Sequence, residues 1–282
     1  MNKQQLCKLH EEVLKTQVRV SVNEKSGGSG TIIYSKKNSN GIFSNYVLTC
    51  YHVIASAISI KTEWSTPPIG HDVKKEYRQV VKVEFFDYEA VPHGRRPVNY
   101  SVDGDILAYD VTHDMALIKL RNIKQYKNVA KILPIIRKEE MCVGSDVCAV
   151  GAALLHDPIL TFGKITHMGD EINFKDYWMS NANIIFGNSG GAIFYNDTKE
   201  YFIVGVPSMV DIVGWGTPVT HLGYFSPLNR IYDFLEEQMF NFITDPTISE
   251  EDCNTLRKNK EDEERKKGSF LSVQPVGMNT KN

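Results

Sequence analysis

The sequence predicts an all-β protein, built as two small barrels or sandwiches packed together, with helices only near the ends of the chain. Short runs of β-branched and aromatic residues recur from Val18 to Ser226, each broken by Gly, Asn or Ser, which is the signature of many short strands joined by turns. Helical spacing of apolar residues occurs only near the termini. The 282 residues suffice for one large all-β domain or two modest ones.

The elements follow in order. Leu6, Leu9, Val13 and Leu14 stand among polar residues at helical spacing, so residues 1–16 predict a short amphipathic helix. Strands are expected at Val18 to Val22, Thr31 to Tyr34, Tyr46 to Thr49, Ile58 to Lys61, Val80 to Phe86, Ile106 to Tyr109 and Met115 to Leu120. These fall in a first unit over residues 17–125, in which 62–104 reads as an insertion rich in Pro, His, Arg and Tyr. The second unit, over 126–228, carries runs at Asp146 to Val150, Ile159 to Met168, Tyr177 to Ser180, Ala192 to Tyr195, Phe202 to Pro207 and Leu222 to Ser226. Ile231, Phe234, Leu235, Met239 and Phe242 then predict a helix over 229–245. Residues 246–282 are strongly charged, offer little apolar surface to offset ordering entropy, and are expected to form a flexible tail.

Composition excludes several function classes. A formal net charge of -2 gives no electrostatic bias toward nucleic acid or anionic membrane. Five cysteines, at 7, 50, 142, 148 and 253, are a poor disulfide framework and are expected to be reduced thiols. With no apolar N-terminal run and no long apolar stretch, the protein is expected to be cytoplasmic, without membrane or nucleic-acid partners. His71, His93, His156 and His167 lack zinc-ligand spacing, so no metal or cofactor is expected. Gly94-Arg95-Arg96 reads as a solvated loop.

The chemistry sits in three segments. Phe186-Gly187-Asn188-Ser189-Gly190-Gly191-Ala192 sets a serine among three glycines before an apolar strand. Such a loop can present a hydroxyl together with inward-pointing amides, and the N–H groups of Gly187 and Ser189 would form an oxyanion hole. His52 directly follows the apolar run Tyr46 to Thr49, and Asp114 stands at the mouth of the run Met115 to Leu120. Singly, these read as a hairpin turn, a surface histidine and a turn aspartate. Together they supply nucleophile, base and orienter, which a serine hydroxyl needs because it is a weak nucleophile at its free pKa.

In order and rough spacing these segments resemble those of trypsin-like peptidases, and more narrowly the HtrA/DegP-like branch. Gly28-Ser29-Gly30-Thr31-Ile32-Ile33 looks like that branch's first glycine-rich strand, and Val143 to Gly151 like the strand opening its second barrel. Thr161 to Ile165, Asn181 to Ile185 and Gly223 to Pro227 extend the likeness over residues 17–238. The resemblance implies two antiparallel six-stranded β-barrels with a His52-Asp114-Ser189 triad in the cleft between them. It implies a serine endopeptidase acting on protein or peptide substrates. Val204-Gly205-Val206 would pair with the substrate backbone, and Asn183 would stand at the base of the specificity pocket, suiting a small or medium uncharged residue. No counterpart of that branch's PDZ domain is expected in the largely polar stretch after Phe242, and Asn188 stands where secreted digestive enzymes carry an aspartate. A catalytically weak or silent module that binds peptides or partner proteins through the same cleft is the alternative.

Overall fold

In a computed structural model, described for residues 2–23, 26–64, 72–88, 97–266 and 272–276, the chain opens with helix α1 (Lys3–Glu12), capped at Asn2. It continues through strands β1 (Gln17–Val22), β2 (Ser26–Lys37) and β3 (Phe43–Thr49), the short helix α2 (Tyr51–Ile54), and strands β4 (Ile58–Trp64), β5 (Asp72–Gln79), β6 (Val81–Asp87), β7 (Val98–Asp110) and β8 (Met115–Leu120). Strands β1, β2, β3, β8, β7 and β6 close into a six-stranded antiparallel barrel. Two strands of this barrel, β6 and much of β7, lie inside the stretch read as an insertion. The alternation Val81, Val83, Phe85 inward is what places β6 in the barrel wall. Only the β4–β5 hairpin stands outside it, and it pairs in parallel with β16 (Ser272–Val276). Gly94-Arg95-Arg96, His71 and His93 lie outside the described residues.

The second half contributes β9 (Lys131–Ile132), β10 (Asp146–Gly151), β11 (Ile159–Ile172), β12 (Lys175–Ser180), β13 (Ala192–Asn196), β14 (Tyr201–Val213) and β15 (Thr217–Pro227). The order β13-β10-β11-β12-β15-β14 closes on itself through a β13–β14 pairing, and β9 adds in parallel to β14. The fold is therefore the expected double barrel with few helices. Alternate residues of β10 and β13, and residues on either side of a β-bulge in β14, explain how the barrels dock. Val147, Ala149, Ile193 and Val204 fill the second barrel's interior, while Cys148, Val150, Phe194, Ile203 and Val206 turn outward into a core shared with the first barrel.

Helix α3 (Leu228–Glu237) buries Leu228, Ile231, Phe234 and Leu235. The stretch expected to be a flexible tail instead forms helix α4 (Glu250–Lys266). Its anchors are mostly polar, which is why apolar periodicity missed them. Buried Glu250 accepts from the fully buried Tyr46 hydroxyl and from Lys119 Nζ at 3.1 Å. Arg257 lies 3.8 Å above the Phe240 ring. All five cysteines are free thiols. No helix among the described residues is long and apolar enough to cross a membrane.

Candidate active site

Strand β3 ends at Thr49, and α2 begins at Tyr51, so His52 is fixed on a one-turn helix whose Val53 and Ile54 are buried. Asp114 occupies the turn between β7 and β8 with φ +53, a left-handed conformation that aspartate tolerates better than most residues. His52 donates its main-chain N–H to Asp114 Oδ1 at 3.0 Å, and its Nδ1 lies 2.8 Å from Oδ2. The Ser208 hydroxyl donates to Oδ2 at 2.6 Å. Burial pushes the Asp114 carboxyl up, but the bonds and charge of His52 and the bond from Ser208 outweigh it and hold the carboxyl below its ordinary pKa. A carboxylate only accepts, so Nδ1 carries the proton of this bond, and in the neutral imidazole the lone pair is left on Nε2.

The Ser189 loop runs between β12 and β13. Its hydroxyl faces the same cavity as His52, a cleft of about 370 Å³ bordered by Ile184, Ile185, Phe186 and the segment Ser208 to Val210. The Ser189 hydroxyl donates to the Ser208 carbonyl at 3.3 Å, and no hydrogen bond joins it to His52. Catalytic hydrogen bonds commonly tighten only when substrate binds.

The loop's conformation rests on two glycines with positive φ. A Cβ on Gly187 (φ +95) would lie 2.6 Å from the Ala152 carbonyl oxygen, and one on Gly190 (φ +83) 2.3 Å from the Ser29 carbonyl oxygen. The carbonyl of Phe186 accepts from Leu154 N at 2.7 Å, and that of Asn188 from Gly191 N at 2.9 Å. In a trans peptide N–H and C=O point in opposite directions, so the N–H groups of Gly187 and Ser189 point away from these partners. Among the described residues neither amide donates a hydrogen bond.

One residue ties this loop to the first barrel. Ser29, fully buried in β2, donates its hydroxyl to the Gly187 carbonyl at 2.6 Å and accepts from Ala152 N at 2.7 Å. Its main-chain N–H donates to the Ser189 carbonyl at 2.8 Å, and its carbonyl accepts from Thr49 Oγ1 at 2.7 Å. The reverse tie holds the acid. Arg230 of α3, buried without a carboxylate partner, donates to the Thr112 carbonyl at 2.8 Å and to the Asp176 carbonyl at 3.1 Å.

The structure brings His52 and Ser189 to one cleft, bonds Asp114 to His52, and places Gly187 two residues before Ser189 in the same loop. It does not bring the other expected site residues there. Val204 and Val206 are buried on the two faces of β14, one in each core, and a Cβ on Gly205 would lie 2.2 Å from the Phe225 ring. The cleft wall is the next stretch of the same strand, Ser208-Met209-Val210. Asn183 is exposed, its carbonyl accepting from Thr161 Oγ1 at 3.0 Å, while the neighbouring Ile184 lines the cavity. Sequence reading missed Ser29, Ser208 and Arg230. The Gly28-Ser29-Gly30 motif was the one visible signal among them.

Among the described residues two groups could gather metal-ligand atoms within 4.8 Å, Cys50 with His52 and Asp114, and Asp110 with His113 and Glu237. In both, the histidine Nδ1 is already bonded to the aspartate. Burial and the Asp114 charge push the Cys50 thiol well above its ordinary pKa, which disfavours the thiolate a metal needs. His156 and His167 are exposed and belong to neither group.

A family model described as a trypsin-like peptidase domain matches residues 28–206. Among solved structures, Deg5 superposes with a TM-score of 0.55 at 19% identity, over 83% of this chain and 94% of that one. An HtrA-type protease, AlgW with tripeptide, does so at 0.55 and 18% identity, over 84% of this chain and 63% of its own. AlgW with decapeptide gives 0.54 at 16% identity, over 84% and 67%. At these identities the likeness is one of fold. A comparison with curated proteins finds no match.

Proposed function

Since the chain belongs to the trypsin-like peptidase family, we propose that it is a serine endopeptidase working through an acyl-enzyme. An extended peptide lies along Ser208-Met209-Val210 as an added strand, with the side chain of its scissile residue in the cavity bordered by Ile184, Ile185 and Phe186. Those walls suit a small or medium apolar side chain. Ser189 Oγ attacks the scissile carbonyl carbon while its proton passes to His52 Nε2, and the N–H groups of Gly187 and Ser189 take up the oxyanion. His52 then gives the proton to the leaving amine. A water molecule, deprotonated by the same nitrogen, hydrolyses the ester and frees the carboxylate product. Asp114 holds the imidazole in the needed tautomer and stabilises the imidazolium.

The observation that carries this reading is the Asp114 carboxylate, engaged by His52 Nδ1, His52 N and Ser208, with Ser189 across the same cavity from His52. The test is mass spectrometry after treatment with a fluorophosphonate, beside a Ser189→Ala control. A single adduct on Ser189 is expected. A folded protein that forms no adduct would favour the alternative, a silent module binding peptides in this cleft, a reading supported by the Ser189 hydroxyl being turned to the Ser208 carbonyl.

A further inference from the structure

A second cavity, of about 250 Å³, lies on the other side of His52 from the first. It shares His52, Ser208 and Met209 with that cleft and adds Val111, Ile172 and Lys175. Lys175 is the first residue of β12, directly after the tight turn Asn173-Phe174, in which both residues have positive φ. That turn fixes where the side chain leaves the second barrel. Its ammonium crosses to the first barrel and donates to the Val111 carbonyl at 3.0 Å.

Among the described residues no carboxylate forms an ion pair with Lys175. Asp114 borders the same cavity, but its oxygens are taken by His52 and Ser208. An ammonium has three donor protons, of which the Val111 carbonyl uses one. Val111, Ile172 and Met209 give the cavity apolar walls, and such walls strengthen the attraction between a bound anion and the cation.

We propose that this cavity is a subsite for an acidic side chain, glutamate or aspartate, on the residue immediately N-terminal to the scissile one, with Lys175 as its cation. The proposal rests on the endopeptidase reading above. In a peptide extended along Ser208-Met209-Val210, successive side chains point to opposite faces. If the scissile side chain enters the cavity beside Ser189, the preceding one is directed to the His52 side, where Lys175 stands.

The test uses internally quenched peptides that share an apolar scissile residue and differ only in the preceding residue: Glu, Gln, Lys or Leu. Glutamate is expected to exceed isosteric glutamine by about tenfold in kcat/KM, equivalent to about 1.4 kcal/mol, and the ratio should shrink at high ionic strength. In Lys175→Gln, which can still donate to the Val111 carbonyl, the ratio should fall toward one. Lys175→Arg should keep it, and thermal melts of both variants report folding. A ratio of one in the parent protein, a ratio unchanged in Lys175→Gln, or a preference for leucine would overturn the subsite and leave Lys175 as a strut between barrels. Cleavage without the glutamate preference refutes the subsite alone. Absence of both cleavage and a Ser189 adduct refutes the endopeptidase reading and the subsite with it.

Discussion

Replacing Ser29 by alanine removes a hydroxyl that is fully buried and fully used, as donor to the Gly187 carbonyl at 2.6 Å and acceptor from Ala152 N at 2.7 Å. The added loss of volume is small, so the cost comes from the two main-chain groups left behind. The Ala152 N–H is wholly buried and the Gly187 carbonyl half-buried. An unsatisfied buried polar group costs about 1–3 kcal/mol, so the pair amounts to roughly 3 kcal/mol, with the exposed side of Gly187 drawing some compensation from water. For a chain of this size that corresponds to a fall in Tm of roughly 6–12 °C. The second effect is local. Freed of its carbonyl anchor, the Gly187 peptide can rotate, and misplacing one oxyanion donor costs up to about 100-fold or more in kcat. We expect kcat to fall roughly 10- to 100-fold with little change in KM, measured on a peptide substrate beside a urea melt. A variant within about 0.5 kcal/mol of the parent and with unaltered kcat would refute the view that Ser29 holds the loop.

Arg230→Met should release the turn that carries Asp114, lowering kcat about tenfold while costing about 2 kcal/mol for the Thr112 and Asp176 carbonyls left unpaired; wild-type kinetics in the folded variant would exclude that role. The depressed carboxyl of Asp114 contributes stability that is complete above the ordinary carboxylate pKa of about 4 and is lost as pH falls through the lower folded value. The stability gap between parent and Asp114→Asn should therefore narrow as pH falls below the ordinary carboxylate range, and a gap constant with pH in urea titrations would contradict it. Glu250→Ala strips the buried Tyr46 hydroxyl of its acceptor and should cost about 2 kcal/mol, whereas an unchanged melting curve would mean that α4 does not brace the first barrel.

The strands and the three positions proposed as a triad were legible because each depends on local pattern: short β-branched runs, a histidine after a strand, a serine among glycines. The substrate wall was not. Val204-Gly205-Val206 and Ser208-Met209-Val210 lie on one strand, and nothing in composition distinguishes the part buried between the two cores from the part that emerges at the cleft. What separates them is the position along β14 at which pairing with β13 ends, at Ile193↔Gly205, while pairing with β15 runs on to Val213↔Thr217. The helix α4 escaped for a different reason. Its docking groups, Glu250, Cys253 and Arg257, recur at helical spacing but are mostly polar, so they do not register as an apolar face.

The cross-barrel ties could not be read from sequence at all, because each joins segments far apart in the chain, and they bear on how the site works. The nucleophile loop belongs to the second barrel but is held by Ser29 of the first. The acid belongs to the first barrel, while its turn is held by Arg230 and Lys175 from the second half of the chain. Neither barrel therefore carries a complete site. The shared core, in which Cys148, Val150, Phe194 and Val206 meet residues of the first barrel, fixes the geometry of the candidate site as well as stabilising the fold. A small rotation between the barrels would move base and nucleophile apart while shifting the oxyanion amides, so changes in that interface should alter kcat before they alter the melting of either barrel.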